Sequence, residues 1–173
     1  MAATYISIAS TTLSSSAASV TFSSIPQTYT DLVIKGSARS DNAAISDVIQ
    51  TEFNANTNTI YSALYLVANS ASILSGTSSG DPSARTIYYI SAANATSNTF
   101  GNFEIYIPSY TASQNKPYSG FGVGETNGTD TRIGVTAMLF RDTTAITSIK
   151  LTLLSGPNFV SGSTFHLYGI KNS

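Results

Sequence analysis

The sequence predicts an all-β fold, a jelly-roll-like antiparallel β-sandwich built as a single domain over residues 1–173. Three observations carry that prediction. Short runs alternate apolar and polar residues with a period of two, as strands with one buried face require. Clusters of Gly, Pro, Asn and Ser interrupt these runs at short intervals. Between them, no helical pattern is long enough to return the chain to a parallel neighbour, which excludes a doubly wound α/β fold. About nine or ten short strands is a number that two packed antiparallel sheets use.

Along the chain, Val20 and Phe22 alternate with Ser19, Thr21 and Ser23, and Leu32 and Ile34 precede Gly36. Continuous apolar or aromatic runs at residues 60–68 and 87–90 predict strands buried on both faces. Phe103, Ile105 and Ile107 share one face of a strand, with Glu104 and Tyr106 on the other. Ile133, Val135, Ala137 and Leu139 form a second apolar set, set off by Gly134, Thr136 and Met138. The pattern returns at Ile149, Leu151 and Leu153, and at Phe165, Leu167 and Gly169. Turns are expected at Ile25-Pro26-Gln27, at residues 54–58 and 75–82, at Asn115-Lys116-Pro117, and at Ser155-Gly156-Pro157. Asn127-Gly128 has the composition of a type I′ hairpin, with both central residues at positive φ, joining strands over 121–126 and 131–141. A single helical segment is expected at residues 41–50, where an Asp or Asn cap precedes Ala43, Ala44 and Ile45.

Charge is scarce. Asp, Glu, Lys and Arg make up 10% of the chain, against about 25% in soluble domains. The exterior must therefore be hydrated by neutral groups, which 28 Ser, 23 Thr and 12 Asn supply. With a net charge of -1 and basic residues scattered singly, the chain lacks the clustered cationic stripe that nucleic-acid binding needs. The absence of cysteine removes disulfides, thiolate nucleophiles and Cys-ligated zinc. The start Met1-Ala2-Ala3-Thr4-Tyr5 has no basic segment followed by an apolar run, and no stretch reaches the length of an apolar membrane span. Synthesis in the cytoplasm of the producing cell, without a membrane partner, is the expectation.

Candidate chemistry is sparse. Gly76-Thr77-Ser78-Ser79-Gly80 matches the G-x-S-x-G pattern of a hydrolase nucleophile, and Asp130, Asp142 and His166 follow in the order of such a triad. The pattern works only where a strand delivers the serine to a tight turn and a helix receives it. Here Asp81-Pro82-Ser83 follows instead, so a serine-rich loop is expected. His166 is the one histidine, placed by alternation on the outer face of a late strand, and a lone imidazole without cysteine does not make the usual zinc site. Glu104 and Glu125 would serve as acid and base of a glycosidase only if they stood about 5 to 10 Å apart. Asp41, Asp47, Asp81, Asp130 and Asp142 fall mostly at turns, where Asp bonds to backbone, and none lies in an EF-hand loop. The sequons at Asn94 and Asn127 carry no weight without a secretory signal. No catalytic residue, metal ligand or cofactor site is expected.

Four segments carry a family resemblance: residues 22–32 (Phe22-Ser23-Ser24-Ile25-Pro26-Gln27-Thr28-Tyr29-Thr30-Asp31-Leu32), Glu104-Ile105-Tyr106-Ile107-Pro108-Ser109-Tyr110, Thr144-Ala145-Ile146-Thr147-Ser148-Ile149, and residues 162–170, from Gly162 through Phe165-His166-Leu167-Tyr168 to Ile170. In these the chain resembles small all-β virion structural proteins of tailed bacteriophages, especially cyanophages. It departs from them at Phe53-Asn54-Ala55-Asn56, where Gly is expected after Asn. The resemblance implies a non-catalytic capsid decoration or cement protein on the phage head. A head, neck or tail fibre component is the near alternative, and a carbohydrate-binding module the alternative from another class. Its implied partners are the major capsid protein or other virion proteins, with a host glycan as a further ligand. Low charge and symmetric capsid sites together point to a homotrimer. Tyr61, Tyr65, Tyr88 and Tyr89, aromatics in excess of one sandwich core, are the expected contact residues.

Overall fold

The computed structural model describes residues 4–69 and 72–171, so residues 1–3 of the N-terminal reading lie outside it. Among the described residues there are twelve strands and no helix: β1 (Tyr5–Thr12), β2 (Ser19–Phe22), β3 (Asp31–Ala38), β4 (Ser46–Phe53), β5 (Tyr61–Asn69), β6 (Ser72–Asp81), β7 (Ala84–Ser91), β8 (Gly101–Ile107), β9 (Lys116–Glu125), β10 (Thr131–Phe140), β11 (Ile149–Leu153) and β12 (Thr164–Ile170). They form two antiparallel sheets packed as a jelly-roll-like sandwich. The larger sheet runs β1-β12-β3-β8-β9-β10-β5-β6 and the smaller β2-β11-β4-β7.

Alternation builds the core as the sequence predicts in most strands. Leu32 and Ile34 of β3, Phe103, Ile105 and Ile107 of β8, and Phe165 and Leu167 of β12 turn inward from the large sheet. Val20, Phe22, Ile49, Phe53, Ile149 and Leu151 meet them from the small one, in a single buried cluster. Its aromatic centre is Phe53, with Tyr118 at 5.0 Å edge-on and Phe140 at 5.2 Å, while Tyr61 stacks on Phe140 at 5.1 Å. Such pairs add about 0.5–1.5 kcal/mol each beyond the area they bury.

Over β9 and β10 the two sheets meet differently. The inward positions of β9 beyond Tyr118 are Gly120, Gly122 and Gly124, and β10 adds Gly134. A Cβ at Gly122 would lie 2.5 Å from the Tyr88 carbonyl oxygen and 2.6 Å from Ile87 Cγ2, and those at Gly120 and Gly124 would strike the carbonyls of Thr86 and Tyr89. The β7 backbone therefore rests on bare glycine, closer than the usual spacing of about 10 Å between packed sheets. Two bulges in the β4–β7 pairing fit it there, leaving Thr86 and Tyr89 as the extra residues. Tyr89 accordingly takes a left-handed φ of 68°, and the Thr136 hydroxyl donates to the Thr86 carbonyl.

Because glycine occupies the inner face, the bulky residues of these strands point outward. Ile133, Val135, Ala137 and Leu139 line the outer face of β10, opposite to the burial that their alternation suggests. Leu64 and Leu66 of β5 are likewise exposed, so the run 60–68 is buried on one face only. Residues 41–50 are not helical: 41–45 are loop, and β4 begins at Ser46. Their carboxylates serve the neighbouring loop instead, Asp41 accepting from Asn158 N–H at 2.9 Å and Asp47 from Gly156 N–H at 2.8 Å. Residues 75–81, expected as a turn, extend β6, and Lys116 and Pro117 already belong to β9. The β9–β10 hairpin forms, but through residues 126–130, with only Asn127 of its Asn-Gly pair at positive φ.

The turn after β4 closes despite its missing glycine. Asn54 and Ala55 both adopt positive φ, 56° and 51°, and Asn56 N–H donates to the Phe53 carbonyl at 2.9 Å. That is the type I′ arrangement, with alanine where glycine is unstrained. In urea unfolding, Ala55→Gly is expected to stabilise the fold by about 0.5–1 kcal/mol. Gly122→Ala, in the same series, should cost about 3 kcal/mol or more, because the added carbon meets backbone. Gly128→Ala, whose nearest neighbour would be 3.9 Å away, should be close to neutral.

Candidate functional site

The outer face of the large sheet divides into two chemical halves. From β9 to β6 the outward side chains are Pro117, Ser119, Phe121 and Val123, then Ile133, Val135, Ala137 and Leu139, then Ser62, Leu64, Leu66 and Ala68, then Ile73, Ser75, Thr77 and Ser79. None of these side chains is ionisable; charge enters only at the margins, where the Arg141 guanidinium donates to the Ser62 hydroxyl and Glu125 ends the outward row of β9. Register makes the patch continuous, with Val135 flanked by Phe121 on one side and Leu66 on the other. Four strands at about 4.8 Å and seven residues at about 3.4 Å give a planar footprint of roughly 450 Å², the size of the largest exposed patch on an ordinary monomer, about 300–600 Å² and often functional. A shallow cavity of about 400 Å³ at its lower end is lined by Leu64, Ala137, Leu139 and Thr77.

The other half is polar and aromatic. Lys35 of β3 pairs with Glu104 of β8 at 2.9 Å, and hydrogen bonding to that carboxylate holds its pKa above the ordinary value. Tyr168 of β12 has Tyr5 edge-on at 6.1 Å and the His166 ring stacked at 6.4 Å. Tyr106 donates its hydroxyl to Asp31 at 2.9 Å. These groups surround Val33, which faces outward yet is covered.

The expected chemistry disperses over this frame. Ser78 sits inside β6, paired with Ala63, rather than at a strand-to-helix turn. His166 lies six strand spacings away on β12, about 29 Å across the sheet, so the two form no triad. Glu104 pairs across from Phe121, four positions from Glu125 on the next strand, which places their backbone positions roughly 14 Å apart, and each carboxylate is engaged elsewhere, with Lys35 and with Thr96, and not opposed to the other as a glycosidase pair requires. Glu125 is a loop staple. Burial raises its pKa, but hydrogen bonds from Asn127 N–H and from Thr96 and Thr99 outweigh that and hold it below the usual value. Asp142 is held low by Thr144, through both N–H and hydroxyl, and by Asn56. Among the described residues no three His, Asp or Glu side chains converge as metal ligands.

The four tyrosines separate. Tyr61 is fully buried, its hydroxyl accepting the Phe53 N–H at 2.8 Å, so it belongs to the core and has no surface to offer a partner. Tyr65, Tyr88 and Tyr89 do cluster, half-buried at the border of the small sheet: Tyr65 and Tyr88 are 4.6 Å apart, Tyr88 and Tyr89 6.4 Å, and Arg132 lies over Tyr89 at 5.3 Å. Sequence reasoning missed the apolar face itself. The signal was present in the glycines that alternate with Phe121 and Val123, since a strand with glycine on one face must direct its bulk to the other.

No family model matches the chain, and no curated protein matches it. Among solved structures, the galectin LEC-6 of Caenorhabditis elegans is similar at 8% identity and a TM-score of 0.37, over 94% of this chain and 96% of that one. A likeness so remote bears on neither ligand nor partner.

Burial of Tyr61 pushes its phenol up from 10.0 to about 12, and burial raises Tyr118 as well. The neutral phenol is favoured in the folded state, so this stabilisation is complete below pH 10 and is lost as pH rises towards 12. Lys116, lowered by burial, acts in the opposite sense and offsets part of the loss. The urea midpoint should therefore hold up to about pH 10 and then fall. Tyr61→Phe should lower it at neutral pH while flattening the alkaline decline; an unchanged alkaline slope would count against this origin.

Proposed function

We propose that the chain is a non-catalytic structural protein of a virus particle, seated on the capsid as a decoration or cement subunit by the apolar outer face of β9, β10 and β5. The observation that carries this reading is the continuous uncharged patch around Val135, Leu66 and Phe121. The resemblance of residues 22–32, 104–110, 144–149 and 162–170 to phage virion proteins supplies the kind of assembly. A flat apolar face gains most against a complementary flat surface, since each side chain covered contributes through the area it removes from water. A Ser/Thr-rich exterior elsewhere limits adhesion to anything else. Repetition over a shell then turns modest single contacts into durable attachment. A head, neck or tail fibre position uses the same face on a different virion partner.

The Tyr5, Tyr168, His166, Lys35 and Glu104 half supports a second reading, a carbohydrate-binding module, because rings stack on sugar faces while the charged groups bond to hydroxyls. Oligosaccharide titrations that leave the Tyr168 resonances unmoved would remove it.

A photo-reactive phenylalanine analogue at position 121 should cross-link to the major capsid protein in assembled particles, and one at position 168 should not. Val135→Asp should leave the fold intact, since Val135 is exposed, yet lower occupancy on the shell about a hundredfold or more by burying an unpaired charge. Cross-links confined to a tail or fibre protein would reject the decoration role, and unchanged occupancy would reject the face.

A further inference from the structure

The sandwich has four open edges, and three are guarded. β2 is only four residues long. β7 carries two bulges and rests on the β9 glycines. β1 is bulged between Ser7 and Ala9. These are devices by which sheets avoid pairing with other chains. β6 has none of them along most of its length. It runs ten residues, and its one bulge, the extra Gly80 between the Tyr61–Asp81 and Ser62–Ser79 pairs, lies at its far end and leaves Ser72 to Ser79 regular. From Ser72 to Gly80 it contains no charge and no proline.

β6 is also unsupported. Among the described residues its one hydrogen-bonded neighbour is β5, and the small sheet does not reach beneath it. Ile73 on the outer side is 73% exposed, and Leu74, on the inner side with Val67, is 55% exposed. A long strand held along one edge, with apolar side chains bare on both faces, is an incomplete element by the standards of a soluble sheet. The free edge is directional: its backbone donors and acceptors specify another extended strand.

We propose that a second copy of this chain adds its own β6 antiparallel to this one about a two-fold axis perpendicular to the sheet, joining the two large sheets edge to edge. A two-fold of this kind keeps both outer faces on one side, so opposed residues must share a face. With the axis at Ser75, Ile73 faces Thr77 of the partner, and Leu74 faces Gly76. That glycine is where the Tyr65 ring and hydroxyl lie against the strand, so Leu74 of each copy reaches the Tyr65 of the other. Self-pairing accounts for the missing guards: an uncharged strand meets its own copy without repulsion, and Asp81 lies outside the overlap. Such an isologous contact closes at two chains, whereas the trimer expected from the resemblance requires a heterologous one. The pairing does not depend on what the Val135 face docks against.

Sedimentation velocity of the full chain at micromolar concentration should show a dimer. Ser75→Lys or Ser75→Glu places two like charges against each other at the axis, and each variant alone should dimerise about tenfold or more weakly than the native chain. An equimolar mixture of the two should recover the dimer, because opposite charges then meet, with unchanged thermal unfolding of each variant showing that the fold survives. A native chain that sediments as a monomer or a trimer overturns the proposal, and so do single variants that dimerise as tightly as the native chain.

Discussion

The close approach of β7 to β9 and β10 is the constraint on which the rest of this molecule depends. Two sheets cannot come nearer than their facing side chains allow, and here one side has almost none: Gly120, Gly122, Gly124 and Gly134 present bare backbone. Carbonyls of Thr86, Tyr88 and Tyr89 fill the space instead, with the bulges at Thr86 and Tyr89 as the local deformation that directs them there. A strand in that position has nowhere inside to put volume. Phe121, Val123, Ile133 and Val135 are outside for that reason, and the apolar face follows from a packing solution on the opposite side of the same strands.

That coupling explains what the sequence conceals. Alternation identifies strands but does not say which of the two alternating sets faces the core, and the larger, more apolar set is the natural choice. It is correct for β3, β8, β11 and β12, where Gly36 makes room for the Thr164 carbonyl and the Phe103 ring and Gly169 for the Tyr29 ring. It fails for β10, where the inward set of Gly134, Thr136, Met138 and Phe140 is chosen by what β7 can rest on. Composition misleads in the same way at residues 75–81. Serine and glycine look like loop, yet in β6 they are the residues of a strand with neither face buried, where side chains contribute little to pairing with β5. At residues 41–50 the cap-like Asp41 does accept backbone hydrogen, but from Asn158, far away in sequence. Local propensity cannot register such a partner.

Buried polar groups do a different job, fixing the loops at one end of the sandwich. The Arg39 guanidinium bonds to the carbonyls of Ala93, Ala95, Thr96 and Thr99, at 2.7 to 3.2 Å, and among the described residues no carboxylate pairs with it. Dispersing one cation over four backbone dipoles satisfies the 92–99 loop and avoids a buried ion pair, whose desolvation often exceeds its attraction. Asp47 does the complementary work with its anion, accepting from Ser40, Val48 and Gly156. Glu125 then ties the 92–99 loop to the β9–β10 hairpin through Thr96 and Thr99. In a chain with so few charges, several of the most buried ones are spent on backbone. The centre of the outer face, around Val135, Leu66 and Phe121, carries none of them, and Arg141 and Glu125 stand only at its margins.

The two halves of that outer face meet along β8 and β9, and their separation has a physical consequence for attachment. Lys35, Glu104 and the tyrosines around them keep water and would lose hydration if covered, whereas the surface around Val135 gains by being covered. One sheet therefore has a side that favours contact and a side that resists it, which orients the subunit without any lock of matched charges. β6 sits at the far margin of the apolar half, so a copy added there extends the surface that favours contact and leaves the polar half at the outer ends of the pair. A doubled apolar face also doubles the area a partner covers in one event. Were the chain seated on a repeating surface as proposed, that seating and the proposed pairing through β6 would reinforce each other, each raising the local concentration at which the other occurs.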